Sequence, residues 1–225
     1  MENKLTRKER ERHARRELII DVAEQILQEQ GFESVTMEEI AERAELGKGT
    51  LYLHFKSKLS IFLAVCLRGS KKLHGQMSKV LTANISGLEM VEKMGYTYLS
   101  FIKHNPLYFN AFSFYESQVN LEIIQENPLA EKCEKNAKEA LTLIIRAIQI
   151  GMQDGSIRSD LDPQQLSLMI WGGSKGVVHM SFMKEQNRHP SVLADVQFDL
   201  ESIMDGYIQL IKKGLTTHDY QSKKA

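Results

Sequence analysis

The stretch ELGKGTLYLHFKSK, residues 45–58, gathers two glycines, three lysines, a threonine, a tyrosine and a histidine around Leu51 and Phe55. Glycine next to lysine suggests a loop whose backbone N–H groups cradle phosphate. Such a loop needs a glycine, four residues and then Gly-Lys-Ser/Thr, opening a helix after a strand. Here Gly49 follows Lys48 and no strand precedes the stretch, so a nucleotide-binding loop is excluded. The whole mixture suits a surface that reads a DNA duplex. Gly47 and Gly49 let the backbone come close. Lys48 faces the same side, and Thr50 offers a hydroxyl and a methyl for a base edge or a thymine methyl. Tyr52, His54 and Lys58 are groups of the phosphate-contact type. Leu51 and Phe55, four apart, form an inward face. The plainer alternative is a short surface helix with Tyr52 anchored in a core.

The neighbouring elements favour the first reading. Thr36 followed by Glu39 predicts a capping box. It opens a short helix over 36–44 with Met37, Ile40, Ala41 and Ala44 as its apolar positions. A second short helix is predicted over 48–55, about three residues on. Two short helices joined this way are a helix-turn-helix. Its second helix enters the major groove with its N-terminal residues on base edges. A longer helix precedes them, carrying Leu18, Ile19, Val22, Ala23, Ile26 and Leu27 on one stripe. It stops at Gly31, with Phe32 as the apolar contact beyond a glycine cap. Ser57 is expected to cap a fourth helix through Phe62, Val65, Cys66 and Leu73.

Five more helices are predicted, at 87–104, 106–118, 128–153, 163–186 and 197–213, giving about nine in an all-α chain. Pro106, Pro128 and Pro163 each follow Asn or Asp, the pattern of a capped helix start, and Pro190 marks a loop. Residues 1–11 and 216–225 are expected to be flexible. The chain is expected to divide into 12–72 and 73–215, the two parts sharing a long fourth helix.

Composition excludes several classes. The chain has 225 residues, 29 basic against 29 acidic, and 42% hydrophobic content. Net charge of zero decides nothing about nucleic acid, but its distribution does. Residues 1–16 carry net +4, residues 17–45 net −8 and residues 46–58 net +3. The positive ends are expected to flank DNA. The basic N-terminus lies along phosphates or in a minor groove, or is only a solubilising tail. Cys66 and Cys133 fit no metal spacing and read as buried thiols of a reducing cytosol. The longest apolar window, 166–183, contains Lys175 and His179, so a buried helix is expected there and no membrane span. No nucleophile elbow, metal-binding histidine pair or dinucleotide loop is present, so no catalytic residue, metal or cofactor is expected; a cytoplasmic location is expected from the cysteine usage.

The segment VTMEEIAERAELGKGTLYLHFKSK resembles the DNA-binding signature of the tetracycline-repressor-type (TetR) family of transcriptional regulators. The likeness is close over about residues 12–72. It includes Gly31-Phe32, Val35-Thr36, Ile40-Ala41, Leu51-Tyr52, His54-Phe55 and Lys58. Beyond 72 only the helical architecture matches. The resemblance implies a homodimer on a palindromic double-stranded DNA operator, released when a small effector occupies the C-terminal domain. Its DNA-binding residues are then Thr36, Lys48, Gly49, Thr50, Tyr52, His54 and Lys58. Two positions depart from the family pattern. Glu45 stands where the turn usually has glycine, and Gly47 where serine or threonine is common.

In the second half, Gly172, Gly173 and Gly176 lie inside one predicted helix, where each costs about 0.5–1 kcal/mol relative to alanine. A close neighbour offsets that. The family places its dimer interface on the last two helices, so these glycines with Ile203, Tyr207 and Ile211 are the expected interface; packing within one chain is the alternative. Aromatics concentrate over 96–115. Most are core, but a subset (Tyr98, Phe101, Tyr108, Phe112 and Tyr115, joined by Trp171 and His179) is expected to line a cavity for an apolar or aromatic small-molecule effector. Two rivals stay open: an architectural or division-linked DNA-binding factor without an effector, and a helical enzyme or adaptor.

Overall fold

The computed structural model describes residues 6–188, 190–193 and 195–216. Eleven helices run along them in order: α1 (Arg7–Ser34), α2 (Met37–Arg43), α3 (Lys48–His54), α4 (Lys58–Val80), α5 (Gly87–His104), α6 (Pro106–Gln118), α7 (Leu121–Glu126), α8 (Pro128–Asp154), α9 (Pro163–Glu185), α10 (Pro190–Leu193) and α11 (Leu200–Leu215). The sole β pairing among the described residues is an isolated bridge between Ile157 and Thr216.

Several start signals act as the sequence suggests. Asp162 accepts a hydrogen bond from the Gln165 amide at 2.7 Å ahead of Pro163. Asn127 accepts from the Leu129 amide at 3.0 Å ahead of Pro128. Gly155, with φ +77°, follows the end of α8. Gly31 breaks α1 with φ 77° and ψ 179°, so the expected stop is a kink, after which a short turn runs on to Ser34.

Four expectations need correction. The described part of 1–11 is helical: Thr6 and Glu9 form a capping box that starts α1 at Arg7. Residues 1–5 and 217–225, the rest of the stretches expected to be flexible, lie outside the described residues. Leu18 is 43% exposed, and the buried stripe of α1 is Ile19, Ile20, Val22, Ala23, Ile26 and Leu27. Helices α7 and α10 were not expected. Asn120 caps α7 through the Ile123 amide at 3.0 Å, so a start signal existed, but six residues are too few for an apolar period to register. Pro190 begins α10 instead of marking a loop.

The chain forms two compact units. One takes the chain up to Lys72 together with Asn105–Asn136; the other takes Leu73–His104 and the chain from Ala137 onward. The first unit therefore includes α6 and α7 as well as the first three helices. Phe114 of α6 stacks on Phe32, with ring centroids 5.2 Å apart, and Phe62 packs edge-on to both. In the second unit a core of Met77, Leu88, Met94, Ile148, Ile157 and their neighbours is covered by Trp171 and Ile211.

A charged cluster braces the first unit. Glu17, Asp21 and Glu24 share one face of α1 and converge on Arg68 of α4, at 2.6, 2.6 and 3.1 Å. The Arg68 side chain is only 17% exposed. Burial opposes its charge, but bonds to Asp21 and Glu17 and the nearby Glu24 hold its pKa above the ordinary value. Tyr108 of α6 joins the cluster: it accepts from Lys72 Nζ at 2.7 Å and donates to Glu24 at 2.9 Å. Removing Arg68 leaves three clustered carboxylates without their counter-charge. Arg68→Met should therefore destabilise the chain by about 2 kcal/mol, below the figure for a fully buried pair because Asp21 and Glu17 reach solvent. Thermal unfolding should show this as a fall in Tm of roughly 4–8 °C.

Candidate nucleic-acid interface

Helix α2 is held at both ends. The Thr36 hydroxyl accepts from the Glu39 amide at 3.2 Å. The predicted return bond of a capping box is absent, because the Glu39 carboxylate binds Arg43 and Gln30 instead. At the C-terminus the Leu46 amide donates to the Ala41 carbonyl at 2.9 Å and the Glu45 amide to Glu42 at 3.0 Å. This pair of bonds closes a Schellman motif and turns the chain sharply into α3. Glu45 takes the left-handed position with φ 55°. A glutamate there costs roughly 1 kcal/mol, which glycine avoids.

Helix α3 is anchored by Leu51 and Phe55, 0% and 1% exposed. Burying these two holds the short helix in place, since seven residues cannot sustain a helix alone. Arg16 of α1 supports it from outside: its guanidinium lies 4.1 Å from the Phe55 ring centroid and donates to the His54 carbonyl at 3.0 Å. The sequence did not single out Arg16. A cation less than one turn upstream of the stripe carries no local sign of a partner 38 residues away.

The opposite side of α3 is open. Tyr52 is 42% exposed, and Thr50 is half-buried. A Cβ built on Gly47 or Gly49 meets nothing within 4 Å, so neither glycine is needed for packing within the chain. Gly47 sits at the N-cap of α3 without a side-chain bond. Lys48 pairs with Glu38 of α2 at 3.1 Å, both ends well exposed. Such a pair is worth little in water and can be exchanged for a phosphate. Thr36 is exposed at the start of α2. Lys58 points to the end of α1, donating to the Glu33 carbonyl at 3.1 Å and lying over the Phe62 ring. In the free chain, then, its ammonium tethers the end of α1.

Burial, followed by the charges of Arg12, Arg16 and Arg15, holds the His54 imidazole below its ordinary pKa. The folded chain resists protonation there, so this group's contribution to stability falls as pH drops below the ordinary histidine value. A phosphate against His54 reverses the balance and raises the pKa. Binding then takes up a proton. Affinity for DNA should rise about threefold between pH ~7.5 and pH ~6 at constant salt, and His54→Gln should remove that dependence. Titration of the variant at both pH values checks it; an unchanged slope counts against a phosphate contact by His54.

The candidate effector residues are divided. Tyr108, Phe112 and Tyr115 belong to the first unit; Tyr98, Phe101, Trp171 and His179 belong to the second. Burial and Glu24 push the Tyr108 hydroxyl pKa up, and the Tyr115 hydroxyl donates to Glu134. Phe101 is buried, Trp171 packs on the core with Lys175 above its ring, and His179 is exposed. An open groove of about 500 Å³ in the second unit is lined by Met180, Leu193, Val196, Phe198 and Ile203 and takes none of the seven.

The candidate interface residues also separate. Gly173 abuts the Tyr207 ring, whose hydroxyl donates to the Ile170 carbonyl at 2.9 Å, so packing within the chain accounts for both. Ile211 covers the core of the second unit. Gly172 and Gly176, by contrast, have open space around them. On the same helix as these glycines lie Leu168 and Met169, 52% and 68% exposed, and on α11 lies Leu210, 68% exposed, all of which the sequence reading passed over.

A short helix anchored from behind, capped into a sharp turn and open on its outer face, defines a helix-turn-helix DNA-binding protein. The match to known proteins agrees. Residues 19–65 match the model of bacterial regulatory proteins of the tetR family, and residues 124–212 match that of a tetracyclin repressor-like C-terminal domain. The chain belongs to the tetR family and is a DNA-binding transcriptional regulator, not an enzyme. It is 26% identical over 205 residues to the fatty acid metabolism regulator protein of Bacillus subtilis, covering 88% of this chain and 93% of that one. It is 26% identical over 149 residues to the transcriptional repressor KstR2 of Mycolicibacterium smegmatis, covering 66% of this chain and 70% of the relative. Among solved structures, FadR from Bacillus subtilis in complex with stearoyl-CoA superposes with a TM-score of 0.71 at 22% identity, over 88% of this chain and 98% of the other. The ketosteroid regulator KstR2 of Mycobacterium tuberculosis gives 0.65 at 18% identity, over 91% and 96%. No single described helix is long and apolar enough to cross a membrane.

Proposed function

We propose that the chain is a ligand-released repressor that binds a palindromic operator as a homodimer. The observation that carries this reading is the two-sided character of α3: Leu51 and Phe55 are sealed while Tyr52 and the space around Gly47 and Gly49 are open. In this reading residues 12–72 read DNA and residues 73–215 serve effector and partner. Thr36, Lys48, Gly49, Thr50 and Tyr52 face bases and backbone. His54 holds phosphate, and Lys58 does so by giving up its carbonyl partners. The protein acts in the cytoplasm, where its DNA is.

The effector in this reading is largely apolar. The aromatic content of residues 96–115 supports it, and so does the likeness to FadR, which is held in complex with stearoyl-CoA. The hydroxyls of Tyr108 and Tyr115 already have carboxylate partners, which leaves mainly ring surface to offer. Release works as a population shift: the effector favours a dimer geometry whose two α3 helices no longer match the half-site spacing.

A selection from random duplex DNA with the purified full-length protein tests the reading, followed by titration of the complex with stearoyl-CoA. The expected result is an enriched palindrome whose affinity falls steeply with salt, with a log–log slope of roughly −0.9 per phosphate neutralised. Stearoyl-CoA should raise Tm and free the DNA. No enriched sequence overturns the DNA reading; an operator complex indifferent to stearoyl-CoA overturns the acyl-thioester effector and favours a factor that binds DNA without a ligand.

A further inference from the structure

Leu53 is 71% exposed, the most exposed large apolar side chain among the described residues. It lies in α3 midway between the two anchors, Leu51 and Phe55. Two residues along a helix turn it by about 200°, so Leu53 stands opposite both buried chains, at the crest of the outward face. One turn before it, on the same face, is Gly49, whose missing side chain leaves open space. Tyr52 flanks it, and Lys48 and Lys56 stand on either side along the chain. The crest of a surface framed by cations therefore carries a group that can neither donate nor accept a hydrogen bond.

We infer that Leu53 is a specificity-determining residue that packs on the C5-methyl group of a thymine in the major groove. The inference rests on the reading of α3 as the recognition helix. Among base-pair edges in the major groove, the thymine methyl is the apolar feature. A leucine at the crest of the inserted helix meets either that methyl, with gain, or a donor or acceptor that it strips of water, with loss. The position thus selects for thymine in two ways. The chemistry also separates Leu53 from Thr50, which can offer both a methyl and a hydroxyl to the same groove.

The test uses the operator recovered by selection, with each thymine replaced in turn by deoxyuridine, which lacks only the methyl. Wild-type protein should lose about threefold to fivefold in affinity at one thymine per half-site, the scale of one buried methyl group. Leu53→Ala should bind the natural operator more weakly by a similar factor and should no longer distinguish thymine from deoxyuridine at that position. Its Tm should match wild type, since the side chain touches solvent. If Leu53→Ala keeps the preference for thymine, or if no thymine is sensitive to the exchange in wild type, the inference is overturned. If the preference survives Leu53→Ala but disappears in Thr50→Ser, the methyl contact belongs to Thr50 and the inference is again overturned. Failure of the wild-type protein to select any DNA is a different result: it removes the recognition-helix reading itself.

Discussion

Leu210→Glu should convert a dimer into a monomer and lower operator affinity by roughly 100-fold or more, because two tethered half-site contacts become one. Leu210 is 68% exposed on α11, and Leu168 and Met169 are similarly exposed on α9. Gly172 and Gly176 interrupt α9 on its outer side with nothing near them, although glycine weakens a helix interior. Exposed leucine and methionine together with open glycines fit a face that closes against a second copy. If that face closes on a second copy, a glutamate at Leu210 has to be buried without a partner, at a cost of several kcal/mol. In the single chain the same glutamate stays in water, so the monomer should remain folded. Light scattering reads the mass and thermal unfolding reads the fold; Met169→Glu is the second variant. A dimer that survives both substitutions contradicts this interface. Gly173→Leu is unsuitable as a probe, because the Tyr207 ring of the same chain already fills that space.

Gly49→Leu should have effects of opposite sign on stability and binding. The built Cβ meets nothing within 4 Å, so the free protein accepts the side chain. Leucine is the better helix former, and the variant should gain about 0.5 kcal/mol in stability. Against a duplex, the same side chain keeps the backbone of α3 from seating in the groove. Loss of one to two base contacts should lower affinity roughly 10-fold to 100-fold. Parallel measurement of chemical unfolding and operator binding separates the two. A variant that is both more stable and fully competent for DNA shows that Gly49 is not a close-approach point.

Much of the fold was legible because its signals are local. Asp162 before Pro163 caps a helix within three residues, and Gly155 ends one with its own backbone. The pair of short helices α2 and α3 was readable for the same reason: Thr36, Leu51 and Phe55 act over one or two turns. What was not legible acts over distance or depends on competition. Asp21 and Arg68 are 47 residues apart, and nothing in either neighbourhood announces the other. Glu39 was expected to complete a capping box, but two side-chain donors, Arg43 and Gln30, take its carboxylate. The aromatic run over 96–115 shows a further limit. Composition marks these residues as apolar, yet only coordinates show that Phe114 joins a ring cluster with Phe32 and Phe62 while Tyr108 anchors a charged network. The glycines of α9 look alike in sequence and differ in space, because only Gly173 has an aromatic ring against it.

Chemical protection of the selected operator tests the placement of α3 most directly. Dimethyl sulfate methylates guanine N7 in the major groove and adenine N3 in the minor groove. With wild-type protein bound, N7 should be protected in two windows related by the operator dyad. Their centres should be about one helical turn, ~34 Å, or a small multiple of it apart. Protection confined to adenine N3, or a single window without a dyad mate, contradicts a pair of α3 helices seated in successive major grooves.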